Sequence, residues 1–223
     1  PDGDTGTNMF LTFQSALREM NKNQSLQVVE LLESVAYGAL MGARGNSGVI
    51  ISQFFRGFVK ALPKGIHSLS RTDLVLGLSG ASHLCYQAVR KPVEGTILTI
   101  IREMAKYATE NVNGPLSLVD LFTGILQHAN QILAKTPEML PVLKQAGVVD
   151  AGGQGLVYFL KGALMGLTGD SSEIKIMDPL PETNRIISIS SFTDNELLAD
   201  VEINYQYCTE FILKGKQLDL EHL

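Results

Sequence analysis

The first eight residues, Pro1-Asp2-Gly3-Asp4-Thr5-Gly6-Thr7-Asn8, carry the densest chemistry in the chain. Asp2 and Asp4 stand one residue apart. Carboxylates held that close repel one another, and a hard divalent cation relieves the repulsion. Thr5, Thr7 and Asn8 add neutral oxygens, and Gly6 leaves room for a close backbone approach. Behind them Met9, Phe10, Phe13, Leu17 and Met20 take the spacing of one helix face. The free N–H groups of such a helix start suit a phosphate, so the run could hold Mg²⁺ and a nucleotide's phosphates together. The same letters also read as turn chemistry, with Asp and Gly as turn formers and Asp4 or Thr5 as a cap. A calcium loop is excluded, because its twelfth position needs Glu and here holds Phe13.

Two further glycine-bearing stretches, Gly42–Gly48 and Gly152–Gly155, each precede a helical pattern. In an antiparallel helical bundle alternate helix starts lie at the same end, so several positive helix ends could meet one polyanion. Gly45 and Gly48 permit close approach there, while Asn46 and Ser47 can donate to phosphate oxygens. Joining helices explains any one of these turns by itself. Three of them beside an Asp pair point to a nucleotide. The usual nucleotide signatures are missing: no G-x-x-x-x-G-K-[ST] occurs, no G-x-G-x-x-G follows a strand, and the protein-kinase motifs are absent. Any ATP site is therefore built from helices, with acidic residues holding metal.

The elements that must position these residues are helical throughout the first three quarters of the chain. Helices are expected at about 7–20, 25–41, 49–62, 72–90, 97–110, 117–134 and 154–167. A further one opens with Pro137 in its first turn and fades by Gly147. This makes residues 1–167 an all-α domain. Residues 168–184, rich in Gly, Asp, Ser, Glu and Pro, read as a linker. Residues 185–223 read as the start of a second, β-containing domain, with Val201, Ile203, Tyr205 and Tyr207 alternating.

Composition narrows the function further. The net charge is −5 and no basic run is interleaved with aromatics, which argues against a nucleic-acid partner. Cys85 and Cys208 form no disulfide framework and suit a reducing compartment, so a cytoplasmic location is expected. No apolar stretch approaches the ~18 residues of a transmembrane helix. The chain opens without Met inside its best motif, and we read it as a fragment whose upstream ligands are out of view.

The runs PDGDTGTNM, GARGNSGVIISQ, KPVEGTILTIIRE and VVDAGGQGL, in that order, resemble the nucleotide-binding domain of the dihydroxyacetone kinase L-subunit type. They are most similar to the bacterial branch that serves as the ATP-binding subunit of fatty acid kinase. The resemblance covers about residues 1–166, and Tyr207-Cys208-Thr209-Glu210-Phe211 is similar to the start of that branch's middle domain. It implies an antiparallel eight-helix barrel or bundle with ATP at one end, followed by an incomplete α/β domain. It also implies a pair of Mg²⁺ ions on Asp2 and Asp4, with Thr5 and Thr7 as oxygen ligands. Asn46, Ser47 and Gly48 match the phosphate-contacting turn. Thr96, and Asp150 with Gly152 and Gly153, match turns lining the nucleotide pocket. A further Asp or Asn of the family falls before Pro1.

The resemblance implies in-line transfer of a phosphoryl group from ATP to a fatty acid presented by a separate lipid-binding carrier protein, and a homodimer for the full-length parent. Dihydroxyacetone is the alternative acceptor, and a non-catalytic nucleotide-binding scaffold the second alternative. His67, His83, His128 and His222 lie outside the motifs, so no general base is evident. A carboxylate acceptor needs none, being ionised at neutral pH. The branch's middle domain uses a cysteine at the place of Cys208 for Zn²⁺. With only His222 downstream, a buried structural cysteine is the other reading.

Overall fold

The computed structural model describes residues 3–25, 27–114 and 116–169. Eight α-helices make up these residues: α1 (Thr5–Lys22), α2 (Val28–Met41), α3 (Gly45–Ala61), α4 (Arg71–Ala88), α5 (Ile97–Asn111), α6 (Leu118–Met139), α7 (Pro141–Ala146) and α8 (Ala151–Thr168). No strand interrupts them among the described residues. The all-α expectation for this part holds. The β-containing start expected at 185–223, together with Cys208 and His222, lies outside the described residues, as does Asp2.

Each long helix packs on the next in order from α1 to α6, α8 follows α6, and α8 returns to α1. The ring is therefore closed, and α7 is a single short helix packed on α6. Amphipathic spacing drives this arrangement. On α5 the buried side chains Ile97, Ile100, Ile101, Met104, Ala105 and Ala108 recur at helical intervals and point into the ring. They meet the buried Met9, Ile51, Leu121, Ile125 and Leu156 from other helices. Phe13 stacks on Phe159 at 4.8 Å, and Phe55 meets both rings edge-on. This aromatic trio ties the first, third and last long helices together.

Small residues set the closest helix pairs. A Cβ added at Gly57 would lie 2.4 Å from the Gly80 carbonyl oxygen, and one at Gly80 would lie 2.4 Å from that of Gly57. The backbones of α3 and α4 thus touch directly, with no side chain between them.

Helix boundaries depart from expectation in two instructive places. The glycines of the Gly45–Gly48 and Gly152–Gly153 stretches do not precede their helices; they form the first turns of α3 and α8. Pro137 does not open a helix either. It sits in the last turn of α6, and Pro141 opens α7 instead. A proline in a helix leaves the carbonyl four residues back without its partner. Here that carbonyl, Leu133, accepts a hydrogen bond from the Thr136 hydroxyl at 2.7 Å, so the helix runs on for another half turn.

Candidate functional site

With neighbours antiparallel, the starts of α1, α3, α5 and α8 share one end of the ring, and the starts of α2, α4 and α6 share the other. The two ends differ in chemistry. At the second end each helix has an acid in its first turn: Glu30, Asp73 and Asp120. Ser70 with Asp73 and Ser117 with Asp120 close α4 and α6 with reciprocal capping boxes. At the first end no helix has an acid in its first turn. Asp4 at the head of α1 and Arg44 at the head of α3 make no side-chain cap bond. The N–H groups and the positive dipole at the starts of α1 and α3 are left for an anion.

A cleft of about 410 Å³ opens at this end. That lies within the range of about 300–1,000 Å³ typical of small-molecule sites. Thr5 of α1, Asn46 and Ser47 of α3, Thr96 ahead of α5, and Asp150 and Gly152 at α8 all line it. These six expected site residues are scattered over nearly 150 positions, and the fold brings them to one cavity. Val49, Ile50, Val89, Val93 and Ile97 supply an apolar wall. Arg90 and Lys91, just past the end of α4, supply positive charge.

The remaining expected residues stand behind or beside the cleft. Asp4 is exposed, and its Oδ2 accepts a hydrogen bond from Asn8 Nδ2 at 2.6 Å. Gly45 begins α3 at φ +56°, where a side chain is strained, and a Cβ there would also meet Asn8 Nδ2 at 2.6 Å. The α1 and α3 starts therefore touch through Asn8. Thr12 joins them again: its buried hydroxyl donates to the Asn8 carbonyl at 2.7 Å and accepts from the Arg44 N–H at 3.3 Å. Gly48 and Gly153 are buried, Gly48 against Thr12 and Gly153 against Ile100, so both serve close packing. Gly6 and Thr7 are exposed on the first turn of α1 and do not line the cleft.

Asp150 is a junction. Its Oδ2 accepts from the Gly153 N–H at 2.7 Å, and its own N–H donates to the Thr136 hydroxyl at 3.0 Å. The Ile97 N–H at the start of α5 also leans on this carboxylate. One residue thus joins the end of α6 to the starts of α5 and α8. Burial pushes its carboxyl above the ordinary 3.8, against the pull of the Gly153 and Ile97 N–H groups. The folded chain then holds this proton more tightly than the unfolded one. The group's contribution to stability is full below its ordinary value and fades as pH rises through the elevated folded one. Asp150→Asn keeps a capping oxygen and removes the charge. Urea midpoints should shift in the variant's favour relative to the parent as pH rises above the ordinary aspartate value of 3.8. A difference that stays flat with pH counts against burial as the cause.

The segment before α5 is fastened by a network that sequence reasoning missed. Glu94 accepts from the Thr99 hydroxyl at 2.7 Å, from the Tyr86 hydroxyl at 3.1 Å and from Arg102 at 2.5 Å. Although its partial burial works the other way, these donors hold its carboxyl below the usual range. The Thr99 hydroxyl also accepts from the Gly95 N–H, where φ is +82°. The Thr96 hydroxyl donates to the Val93 carbonyl at 2.7 Å. The only hint of this in sequence was the Glu of PVEGT, set one turn ahead of Thr99 and two ahead of Arg102. His128 stacks on Tyr107 and reaches Glu103 at 4.0 Å, and it does not line the cleft.

Donor chemistry at this end suits a metal-bound nucleotide. An exposed carboxylate, Asp4, directly precedes Thr5 of the cleft lining, and residues with hydroxyl and amide side chains, Thr5, Asn46, Ser47 and Thr96, line the cavity. Among the described residues no three His, Cys, Asp or Glu side chains gather into a metal-ligand cluster, and Asp2 is outside them. Among those residues, too, no helix is long and apolar enough to cross a membrane.

Residues 1–165 match the DAK2 domain. An uncharacterized protein of Staphylococcus epidermidis is 41% identical over 214 residues, spanning 96% of this chain and 38% of the relative. An uncharacterized protein of Staphylococcus aureus strain USA300 is 40% identical over 219 residues, with the same coverage. The chain thus spans little more than a third of the curated relatives it matches.

Proposed function

We propose that this chain, which belongs to the DAK2-domain family, is the ATP-binding part of a phosphotransferase that passes a phosphoryl group to a fatty acid carboxylate. The carrying observation is the contrast between the two ends of the ring. Helix starts at one end carry first-turn acids, two of them in capping boxes, whereas at the cleft Asp150 caps α8 and the starts of α1 and α3 have neither a first-turn acid nor a side-chain cap. In this reading the first turns of α1 and α3 hold the nucleotide's phosphates through N–H groups, Thr5, Asn46 and Ser47. Asp4, with Asp2, would hold Mg²⁺, which when bound neutralises the charge on the phosphates. Asn8 keeps the Asp4 carboxylate in place. Val49, Val89 and Val93 would exclude water from one side of the cleft.

The described lining of the cleft supports a carboxylate acceptor. A hydroxyl acceptor, such as dihydroxyacetone, needs a base to take its proton, and no histidine lines the cleft among the described residues. Asp150, the one carboxylate among the described lining residues, is occupied by two backbone N–H groups. An ionised fatty acid needs no base. It would arrive on a separate carrier protein, because the apolar wall is short.

Calorimetry of Mg·ADP and Mg·ATP into the full chain tests the reading. Binding in the range of about 1 µM–1 mM, lost when Mg²⁺ is chelated, is the expected result. No binding to the folded chain would sink it. Binding without turnover on either a fatty-acid carrier or dihydroxyacetone would leave a nucleotide-binding scaffold instead.

A further inference from the structure

We infer that Arg90 and Lys91 form the subsite for the anionic head of the acceptor, receiving its carboxylate before transfer and its acyl phosphate after. The inference rests on the proposed function and assigns a role to two residues to which the sequence reading gave none, although Lys91 opens the run KPVEGT. Three observations carry it. First, Arg90 and Lys91 are the cations lining the cleft. Both are exposed, and neither makes a side-chain hydrogen bond or ion pair among the described residues. By contrast Arg102, the nearest other cation along this segment, is spent on Glu94 and Glu103. Second, the pair sits on an anchored segment. Val89 packs on the core before it, and Glu94 is held by three donors after it, with Pro92 between. Charges on a fixed loop lose little freedom on binding an anion.

Third, this segment shares the cleft with the phosphate-holding starts. α4 packs directly on α3, and Arg90 and Lys91 line the same cavity as Thr5, Asn46 and Ser47. A nucleotide whose phosphates rest on α1 and α3 would then have the α4–α5 segment within the same cavity. Both reactants are anions, so bringing them together needs positive charge on the acceptor's side. In the step itself a carboxylate oxygen forms a bond to the terminal phosphorus. The bond from that phosphorus to the bridging oxygen breaks, and ADP leaves with the electron pair. No proton moves, and total charge is conserved. A neutral ketose would gain nothing from this pair, so the subsite also discriminates between acceptor classes.

The test runs the step backwards with acetyl phosphate, the smallest acyl phosphate, which needs no carrier protein. The full chain with Mg·ADP should form ATP from it. In the Arg90→Ala, Lys91→Ala variant the KM for acetyl phosphate should rise about 10- to 100-fold, the loss expected for charged hydrogen bonds to an anion. The Kd of Mg·ADP, read by calorimetry, should stay within about threefold, and Arg90→Lys with Lys91→Arg should restore most of the KM. An unchanged KM overturns the inference, and so does an equal loss of Mg·ADP affinity, which would put the pair on the nucleotide. A parent chain that binds Mg·ADP but makes no ATP overturns it too while sparing the nucleotide site. A parent that binds no Mg·ADP fails at the proposed function itself.

Discussion

An Asp2→Ala, Asp4→Ala double variant should lose at least about 100-fold in affinity for Mg·ADP while melting within about 2 °C of the parent. The two halves of this expectation come from the same geometry. Asp4 is exposed, and it stands at the head of α1 without capping it. Its one side-chain bond is to Asn8. Removing it therefore costs the fold little, in contrast to an ordinary capping aspartate, whose loss costs about 1 kcal/mol. What disappears is a carboxylate fixed beside Thr5 at the cleft. A fold-neutral variant that still binds Mg·ADP like the parent would return the opening motif to turn chemistry. Asp4→Asn separates charge from shape: it should retain the fold and lose most of the Mg²⁺ dependence.

Gly57→Ala should destabilise the chain by about 3 kcal/mol and lower the melting temperature by about 6–12 °C. A methyl at this position would sit 2.4 Å from the Gly80 carbonyl oxygen and 2.8 Å from the Ala81 Cα. Both are backbone atoms, so no side chain can swing away, and α3 must part from α4. Separating them would also pull the Asn46–Ser47 start away from the α4–α5 segment on the cleft's rim. The informative control is Gly162→Ala on α8, where a Cβ meets open space. There the same change removes a helix-interior glycine and should stabilise by about 0.5–1 kcal/mol. If both variants melt alike, the α3–α4 contact is looser than described.

Much of the fold was legible because amphipathic spacing and helix caps are local. The reading began helices at about 72 and 117, and the caps prove to be Ser70 and Ser117, each with an aspartate three positions on. Pro137 was misread for a physical reason. The compensation that lets a proline stay inside α6 is a hydroxyl bond from its neighbour Thr136, and a threonine before a proline does not announce it. The starts of α3 and α8 were set too late, because the reading began each helix after Gly48 or Gly153 while the backbone was already helical over those glycines. At the site, Thr5, Asn46, Ser47, Thr96, Asp150 and Gly152 carried signals of their own and do meet. Arg90 carried none, and Lys91 only its place at the head of the run KPVEGT, since two basic residues past a helix end look like any solvated surface. Nor could the Asp150–Thr136–Ile97 junction be read, because it exists only once α5, α6 and α8 have packed.

The closed ring has a consequence for how a ligand and the fold protect each other. The cleft takes its walls from α1, α3, α5 and α8, so a molecule seated there would touch helix starts from Thr5 to Gly152. None of α1, α3, α5 and α8 can peel away without releasing part of such a ligand. Its binding energy then adds to the cost of each partial opening, including the parting of α1 from α8 at the seam. Amide hydrogen exchange should register this as slowing spread around the whole ring, reaching helices whose own amides lie far from the cleft. In an open bundle the same ligand would protect only the segments it touches.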